Sequence, residues 1–295
     1  MKRPSRLVTA TAAAVLVATT LLVATLLRSP QPLTPLLPCL PAVTAPSGAG
    51  YEPAGVAALA DALAYYATTE TVPQQSRREI ALSLAVLRRR APMRLLVFGL
   101  GHDSPLWHAL NPGGVTVFLE EDPKWYSVVR ARSPHLRAHL VAYRTRLDQA
   151  DLLLHRYKGI PACVPGGADE GAEPVKVQGN AACPLALHSL PAEVYDQEWD
   201  MLMLDAPKGY FASAPGRMAA VWTAAAMAWV RKGEGDTDVF LHDVNRKVEK
   251  AYAEEFLCAR FKVAAAGRLW HYSIPPLSRR GNSTAAAGGD ERPFC

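Results

Sequence analysis

Apolar residues recur along this chain in distinct rhythms. From Leu7 to Leu27 they run on without a charge, preceded by Lys2, Arg3 and Arg6 and closed by Arg28. About 20 such residues span a bilayer as a helix. The basic cluster ahead of the run predicts a cytoplasmic tail at residues 1–6, a transmembrane anchor at 7–27 and a lumenal remainder. A cleaved signal peptide is the alternative, but its apolar core is normally about 7–15 residues long and ends at small residues. This run is longer and ends in Leu26-Leu27-Arg28. Residues 28–53 then carry Pro30, Pro32, Pro35, Pro38, Pro41, Pro46 and Pro53. Proline at that density blocks helix and sheet and predicts an extended stem.

A different rhythm fills residues 54–276. Short apolar runs alternate with amphipathic stretches. Strands are predicted at 94–98, 116–119, 138–143, 200–204 and 238–241, and a closing pair at 261–266 and 269–274 around Gly267. Helices are predicted after Ser104 as cap and Pro105 as first residue, and at 123–132, 147–157, 215–230 and 246–257. Residues 56–90 read as two further helices outside the sheet. Repeated strand–helix alternation predicts an α/β fold, with a mainly parallel, doubly wound, Rossmann-like sheet. Residues 277–295, rich in Ser, Gly and Ala, predict a disordered lumenal tail that holds the sequon Asn282-Ser283-Thr284.

Composition narrows the class. The chain has 295 residues, 49% of them hydrophobic. That is enough for a sizeable core and excludes a disordered protein. Net charge is +5. So mild an excess is no nucleic-acid signature and suits a lumenal protein that handles an acidic polymer. The chain has five cysteines. Cys163 and Cys183 bracket a loop unlike any regular element, so a disulfide at its base is predicted, with two free thiols as the alternative. Closing such a loop contributes about 3 kcal/mol in the chain-entropy model. No pair has CxxC spacing, so no cysteine zinc site is predicted.

In a doubly wound sheet, ligands bind at the carboxyl ends of the strands. The first strand ends in Gly99-Leu100-Gly101-His102-Asp103-Ser104, where glycines let the backbone turn and approach a ligand. The third glycine of the dinucleotide fingerprint is replaced by Ser104, which favours S-adenosylmethionine over a pyrophosphate cofactor. The second strand ends in Glu120-Glu121-Asp122, placed for a ribose hydroxyl pair. Gly99, Gly101, His102, Glu120 and Glu121 are therefore the predicted cofactor residues. Asp205 and His242-Asp243 end the fourth and fifth strands. Their types suit a general base or a divalent-metal site, or else they cap the following helices. The loop from Asp205 to Phe211 adds Lys208 and Tyr210. With Arg217 and Arg246 they are candidates to hold an acidic sugar, cations for its carboxylate and an aromatic face for its ring.

The segments Leu96–Ser104, Phe118–Trp125, Asp205–Phe211, Ala214–Met218, Phe240–Val244, Tyr252–Cys258 and Leu269–Tyr272 resemble a plant polysaccharide-biosynthesis domain family. The resemblance covers roughly residues 70–276. Within that family the sequence looks like the glucuronoxylan 4-O-methyltransferases. A sibling branch, linked to xylan deposition, reads Gly where this chain has Ala206. The resemblance implies methyl transfer from S-adenosylmethionine to O4 of glucuronic acid on glucuronoxylan, in a Golgi membrane of type II topology, with divalent-metal assistance. Another glucuronic-acid polymer such as arabinogalactan, or a non-catalytic xylan-assembly role, are the alternatives.

Overall fold

The computed structural model describes residues 55–72, 74–165, 175–280 and 294–295. The predicted cytoplasmic tail, anchor and stem, and Asn282, lie outside them. Among the described residues no helix is long and apolar enough to cross a membrane.

Two helices come first, α1 (Val56–Ala67) and α2 (Arg77–Arg90). Ser76 and Glu79 form a reciprocal capping box that fixes the start of α2. The sheet elements follow: β1 (Arg94–Phe98), α3 (Ser104–Ala109), β2 (Val115–Glu120), α4 (Pro123–Arg132), β3 (Ala138–Leu140), α5 (Ala150–Arg156) and α6 (Ala192–Tyr195). The second half adds β4 (Met201–Leu204), α7 (Met218–Trp229), β5 (Thr237–Leu241), α8 (Lys247–Phe256), β6 (Lys262–Ala266), β7 (Leu269–Ile274) and α9 (Leu277–Arg280).

The strands pair in the order β3-β2-β1-β4-β5-β7-β6. β1 to β5 are parallel, and β7 runs antiparallel to both its neighbours. The predicted class therefore holds, with an antiparallel hairpin at one edge. The order reverses between β1 and β4, which makes the crevice above them the switch point.

Alternate strand residues serve opposite faces. Leu96 and Phe98 join the core beneath α7 and α8, while Leu95 and Val97 pack with Val86 and Leu87 of α2 and Trp107 of α3. Burial on both faces explains the apolar runs Leu95–Phe98 in β1, Met201–Leu204 in β4 and Val239–Leu241 in β5. Helix α7, MAAVWTAAAMAW, is buried nearly all round.

Several predicted boundaries shift for local reasons. Asp103, not Ser104, precedes α3; the Ser104 hydroxyl instead accepts the Gly101 amide at 2.9 Å. α7 starts at Met218 rather than 215, because Gly216 adopts a positive φ of 65° and its amide closes the preceding loop onto the Lys208 carbonyl. The 147–157 helix divides into a 3-10 turn at Leu147–Gln149 and α5.

Cys163 and Cys183 form the expected disulfide, so the free-thiol alternative falls. Both sulfurs sit in the core, where the Trp222 indole donates to the Cys163 carbonyl at 2.9 Å. The tail needs correction at both described ends. Residues 277–280 are helical, and Phe294 is fully buried among Trp222, Trp229 and Phe256. A second disulfide, Cys258–Cys295, holds it there.

Candidate active site

The glycine loop after β1 is shaped by close approach. Gly99 has φ 126°, and a Cβ there would lie 3.2 Å from the Ala206 Cβ. A Cβ on Gly101 would meet Oδ1 of Asp103 at 2.6 Å. Gly99 is therefore favoured by its backbone conformation, and a side chain at Gly101 would displace the Asp103 carboxylate. His102 is held from the side by α1. The Tyr65 hydroxyl lies 2.6 Å from its Nδ1, the Tyr66 hydroxyl donates to its carbonyl at 2.8 Å, and Trp125 packs edge-on. Burial, then Arg132, lowers the His102 pKa, which favours the neutral ring. Asp103 lies at the end of the loop and accepts the Trp107 indole N–H at 2.8 Å. Burial and the Asp205 carboxylate push its pKa up to about 6.

Glu120 ends β2 and is 4% exposed. One oxygen accepts the Leu100 amide at 3.0 Å; the other accepts the amides of Glu121 at 3.1 Å and Asp122 at 2.9 Å. It thus ties the β1 and β2 turns together. Burial and Glu121 outweigh those amides and raise its pKa to about 7. Glu121 accepts the Lys208 amide at 3.0 Å through one oxygen, and its other oxygen is buried without a partner. Asp122 caps α4 and pairs with the Lys208 ammonium.

The ends of β4 and β5 meet through Asp205. Its Oδ1 lies 2.8 Å from His242 Nδ1, and its Oδ2 accepts the Gln75 amide at 3.1 Å. Burial opposes its charge, but His242 and Arg217 hold the Asp205 pKa below the ordinary value. Arg217 is buried. It donates to the carbonyls of His242 at 2.7 Å and Asp205 at 2.6 Å, and to the Asp243 carboxylate at 2.9 Å. Arg217 is thereby committed to the framework of β4 and β5. Asp243, with φ 61° and 2% exposure, also pairs with Arg246 at 3.0 Å and Arg268 at 2.8 Å. Arg246 remains half-exposed.

One cleft of about 580 Å³ gathers Gly99, Gly101, His102, Glu120, Glu121, Asp205, Lys208, Tyr210, Arg217, Asp243 and Arg246. Tyr210 is 68% exposed at this cleft, edge to face with Phe211. His242 does not line the cleft. It is buried behind Asp205, with Nε2 3.6 Å from Glu79 Oε1. The cleft also contains Asp103, Trp125 and Gln75, which the sequence reading did not single out. Asp103 was legible in principle, inside the glycine loop. Gln75 meets Asp205 across 130 residues, and no local signal announces that contact.

Asp205, His242 and Asp243 each offer one ligand atom, all within 4.8 Å of one another. The buried Nε2 of His242 has no hydrogen-bond partner. With a metal on Nδ1, the ring proton would sit on Nε2 facing Glu79, the carboxylate–histidine arrangement common behind metal ligands. The trio fits a divalent cation on that ground. An ion there would compete with Arg217, which already bridges the two carboxylates.

Comparison with known proteins follows this geometry. Arabinogalactan O-methyltransferase 2 of Arabidopsis thaliana is 58% identical over 213 residues, covering 72% of this chain and 71% of that protein. Arabinogalactan O-methyltransferase 1 of the same plant is 56% identical, covering 79% of this chain and 77% of that protein. Glucuronoxylan 4-O-methyltransferase 1 of Arabidopsis thaliana is 46% identical, covering 80% of this chain and 79% of that protein. Residues 78–272 match the model of the IRX15/IRX15L/GXM family. The fold, the cleft and these matches agree, and the chain belongs to the IRX15/IRX15L/GXM family.

Proposed function

We propose that this protein transfers the methyl group of S-adenosylmethionine to O4 of glucuronic acid carried on a cell-wall polysaccharide. Arabinogalactan is the first acceptor and glucuronoxylan the second. The order departs from the sequence expectation. Identity is 58% to an arabinogalactan enzyme against 46% to a glucuronoxylan one. The observation that carries the reading is the single cleft shared by the glycine loop, the acidic end of β2 and Asp205, with Tyr210 and Arg246 also in its lining.

The chemistry is a displacement at carbon. The sugar O4 attacks the sulfonium methyl, an O–CH₃ bond forms, the S–CH₃ bond breaks, and S-adenosylhomocysteine leaves. The hydroxyl proton must depart as the bond forms, and Asp205 takes it as general base. His242 acts through Asp205, holding its carboxylate in place. Gly99 and Gly101 let the backbone approach the donor, and Glu120, with Glu121 beside it, receives the ribose hydroxyls. Arg246 pairs with the uronate carboxylate, and Tyr210 offers a ring face to the sugar. A divalent ion on Asp205, His242 and Asp243, when bound, would supply charge for the acceptor oxygen.

The two disulfides suit an oxidising compartment. From the pattern of residues 1–53 we infer a lumenal Golgi domain behind a single N-terminal anchor, with the membrane and the acidic polysaccharide as partners. A fusion reporter at each terminus tests that topology by protease protection.

The purified protein, incubated with labelled methyl donor and each unmethylated polymer, with and without chelator, tests the activity. Label at the 4-position of arabinogalactan glucuronic acid is expected. Label confined to xylan would reverse the acceptor order, and label on neither would overturn the reading.

A further inference from the structure

The acidic groups of the cleft are almost all spoken for. Glu120 holds three backbone amides, and Glu121 holds the Lys208 amide through one oxygen, its other oxygen being left for the ribose side. Asp122 pairs with Lys208. Asp205 has His242, Gln75 and Arg217, and Asp243 has three arginines. Asp103 stands apart. Its charge is met by the Trp107 indole and its own backbone amide, and the Asp205 carboxylate opposes it more than His242 eases it. Among the described residues no lysine or arginine pairs with it.

Asp103 is half-buried, and a carboxylate drawn partly out of water calls for a cation or further donors. The surroundings of Asp103 are built to aim it rather than to neutralise it. Trp107, itself buried, fixes one oxygen. The missing Cβ of Gly101 leaves room for the other, because any side chain there would collide with Oδ1. The group therefore lies folded back over the glycine loop and lines the cleft between β1 and Asp205.

We propose that Asp103 anchors the ammonium group of the donor's amino-acid end, a role that rests on reading the donor as S-adenosylmethionine. The donor carries two cations of different chemistry. Its sulfonium has no N–H to give, whereas its ammonium offers three donors. An ionised carboxylate with acceptor capacity left suits the ammonium, through a charge-assisted hydrogen bond. Glu120 at the ribose end and Asp103 at the amino-acid end would then fix the donor at two points on either side of the glycine loop. The upward push on the Asp103 carboxyl agrees with a group that waits for a positive partner. Asp103 is in this scheme a donor-binding residue, distinct from Asp205, which meets the acceptor.

Calorimetry with two product analogues tests it: S-adenosylhomocysteine and its deamino form, which keeps the carboxylate and lacks only the ammonium. The unaltered protein is expected to bind S-adenosylhomocysteine at least about tenfold more tightly than the deamino form. Asp103→Asn keeps the shape and the acceptor for Trp107. It is expected to weaken S-adenosylhomocysteine by about 10- to 100-fold, the span of a hydrogen bond to a charged group, and the deamino form by less than about twofold. Equal weakening of both ligands, or no weakening of either, overturns the proposal. Should Asp103→Asn fail to fold, Trp107→Phe keeps the charge but frees its orientation; the preference between ligands should narrow, and an unchanged preference overturns the proposal. If the unaltered protein binds neither compound, the donor reading itself fails, which is a separate result.

Discussion

The Nδ1 atom of His242 lies 2.8 Å from Oδ1 of Asp205, and this contact joins the end of β5 to the end of β4. Only Asp205 of the two lines the cleft. The histidine thus sits one layer back, between Asp205 and Glu79. Asp205→Asn should lower kcat for methyl transfer by about 10²–10⁴-fold, the usual worth of a general base. Binding of S-adenosylhomocysteine should change by less than about threefold. Near-normal turnover in that variant would remove Asp205 from the mechanism.

Glu120 leads to a pH dependence. Its folded pKa is raised from 4.5 to about 7, by burial first and Glu121 second. The folded state therefore keeps a proton that the unfolded chain gives up. The stability this confers is complete below about 4.5 and is lost as pH rises through about 7. Asp103, pushed up to about 6, acts in the same direction. Thermal melts of the unliganded protein should show Tm falling between pH 5 and 8, with a shallower fall in Glu120→Gln. Parallel curves for the two proteins would contradict this. Glu120→Ala should weaken S-adenosylhomocysteine in calorimetry, and an unchanged affinity would refute its ribose role.

Arg246 is the half-exposed arginine of the cleft, held by Asp243 and by Glu249 at 3.5 Å. Arg246→Ala should raise KM for the uronate polymer by about tenfold, the scale of one charge-assisted contact, with a smaller change in kcat. Lysine at this position should restore part of the loss, since it keeps the charge without the fork. Steady-state kinetics that show a fall in kcat alone would move Arg246 away from the acceptor carboxylate.

Chelation separates donor binding from transfer. The groups assigned to the donor, Gly99, Gly101 and Glu120, are not among the metal-capable trio of Asp205, His242 and Asp243. S-adenosylhomocysteine affinity should therefore be the same with and without chelator. A chelator-induced loss of affinity, read by calorimetry, would show that an ion shapes the donor site as well.

The last two described residues carry stability. Phe294 is fully buried against Trp222, Trp229 and Phe256, and Cys258–Cys295 pins it from the chain end. Phe294→Ala should cost about 3–5 kcal/mol, as large aromatic truncations in cores do. Replacing both Cys258 and Cys295 with serine should cost about 4 kcal/mol for a loop of this length. Urea melts that place either variant within 1 kcal/mol of the unaltered protein, a margin set by typical surface substitutions of about 0.5 kcal/mol, would show the tail to be peripheral.

The sequence by itself determined the strands, because a segment buried on both faces is mostly apolar, as in Leu95–Phe98 of β1, all of β4 and Val239–Leu241 of β5. It also determined which residues follow the strands, since Gly99, Glu120, Asp205 and Asp243 stand where the apolar runs stop. Cys163 and Cys183 were legible because the loop between them has no regular pattern to hold it. Only the tertiary structure decided that β4 lies beside β1, which brings Asp205 within reach of the glycine loop. It alone turned His242 inward, committed Arg217 to the β4 and β5 ends, brought Gln75 to Asp205 and joined Cys258 to Cys295. The reason is one of range. Burial leaves a local rhythm in the chain, whereas the partner of a buried charge is chosen by packing between segments that the sequence keeps far apart.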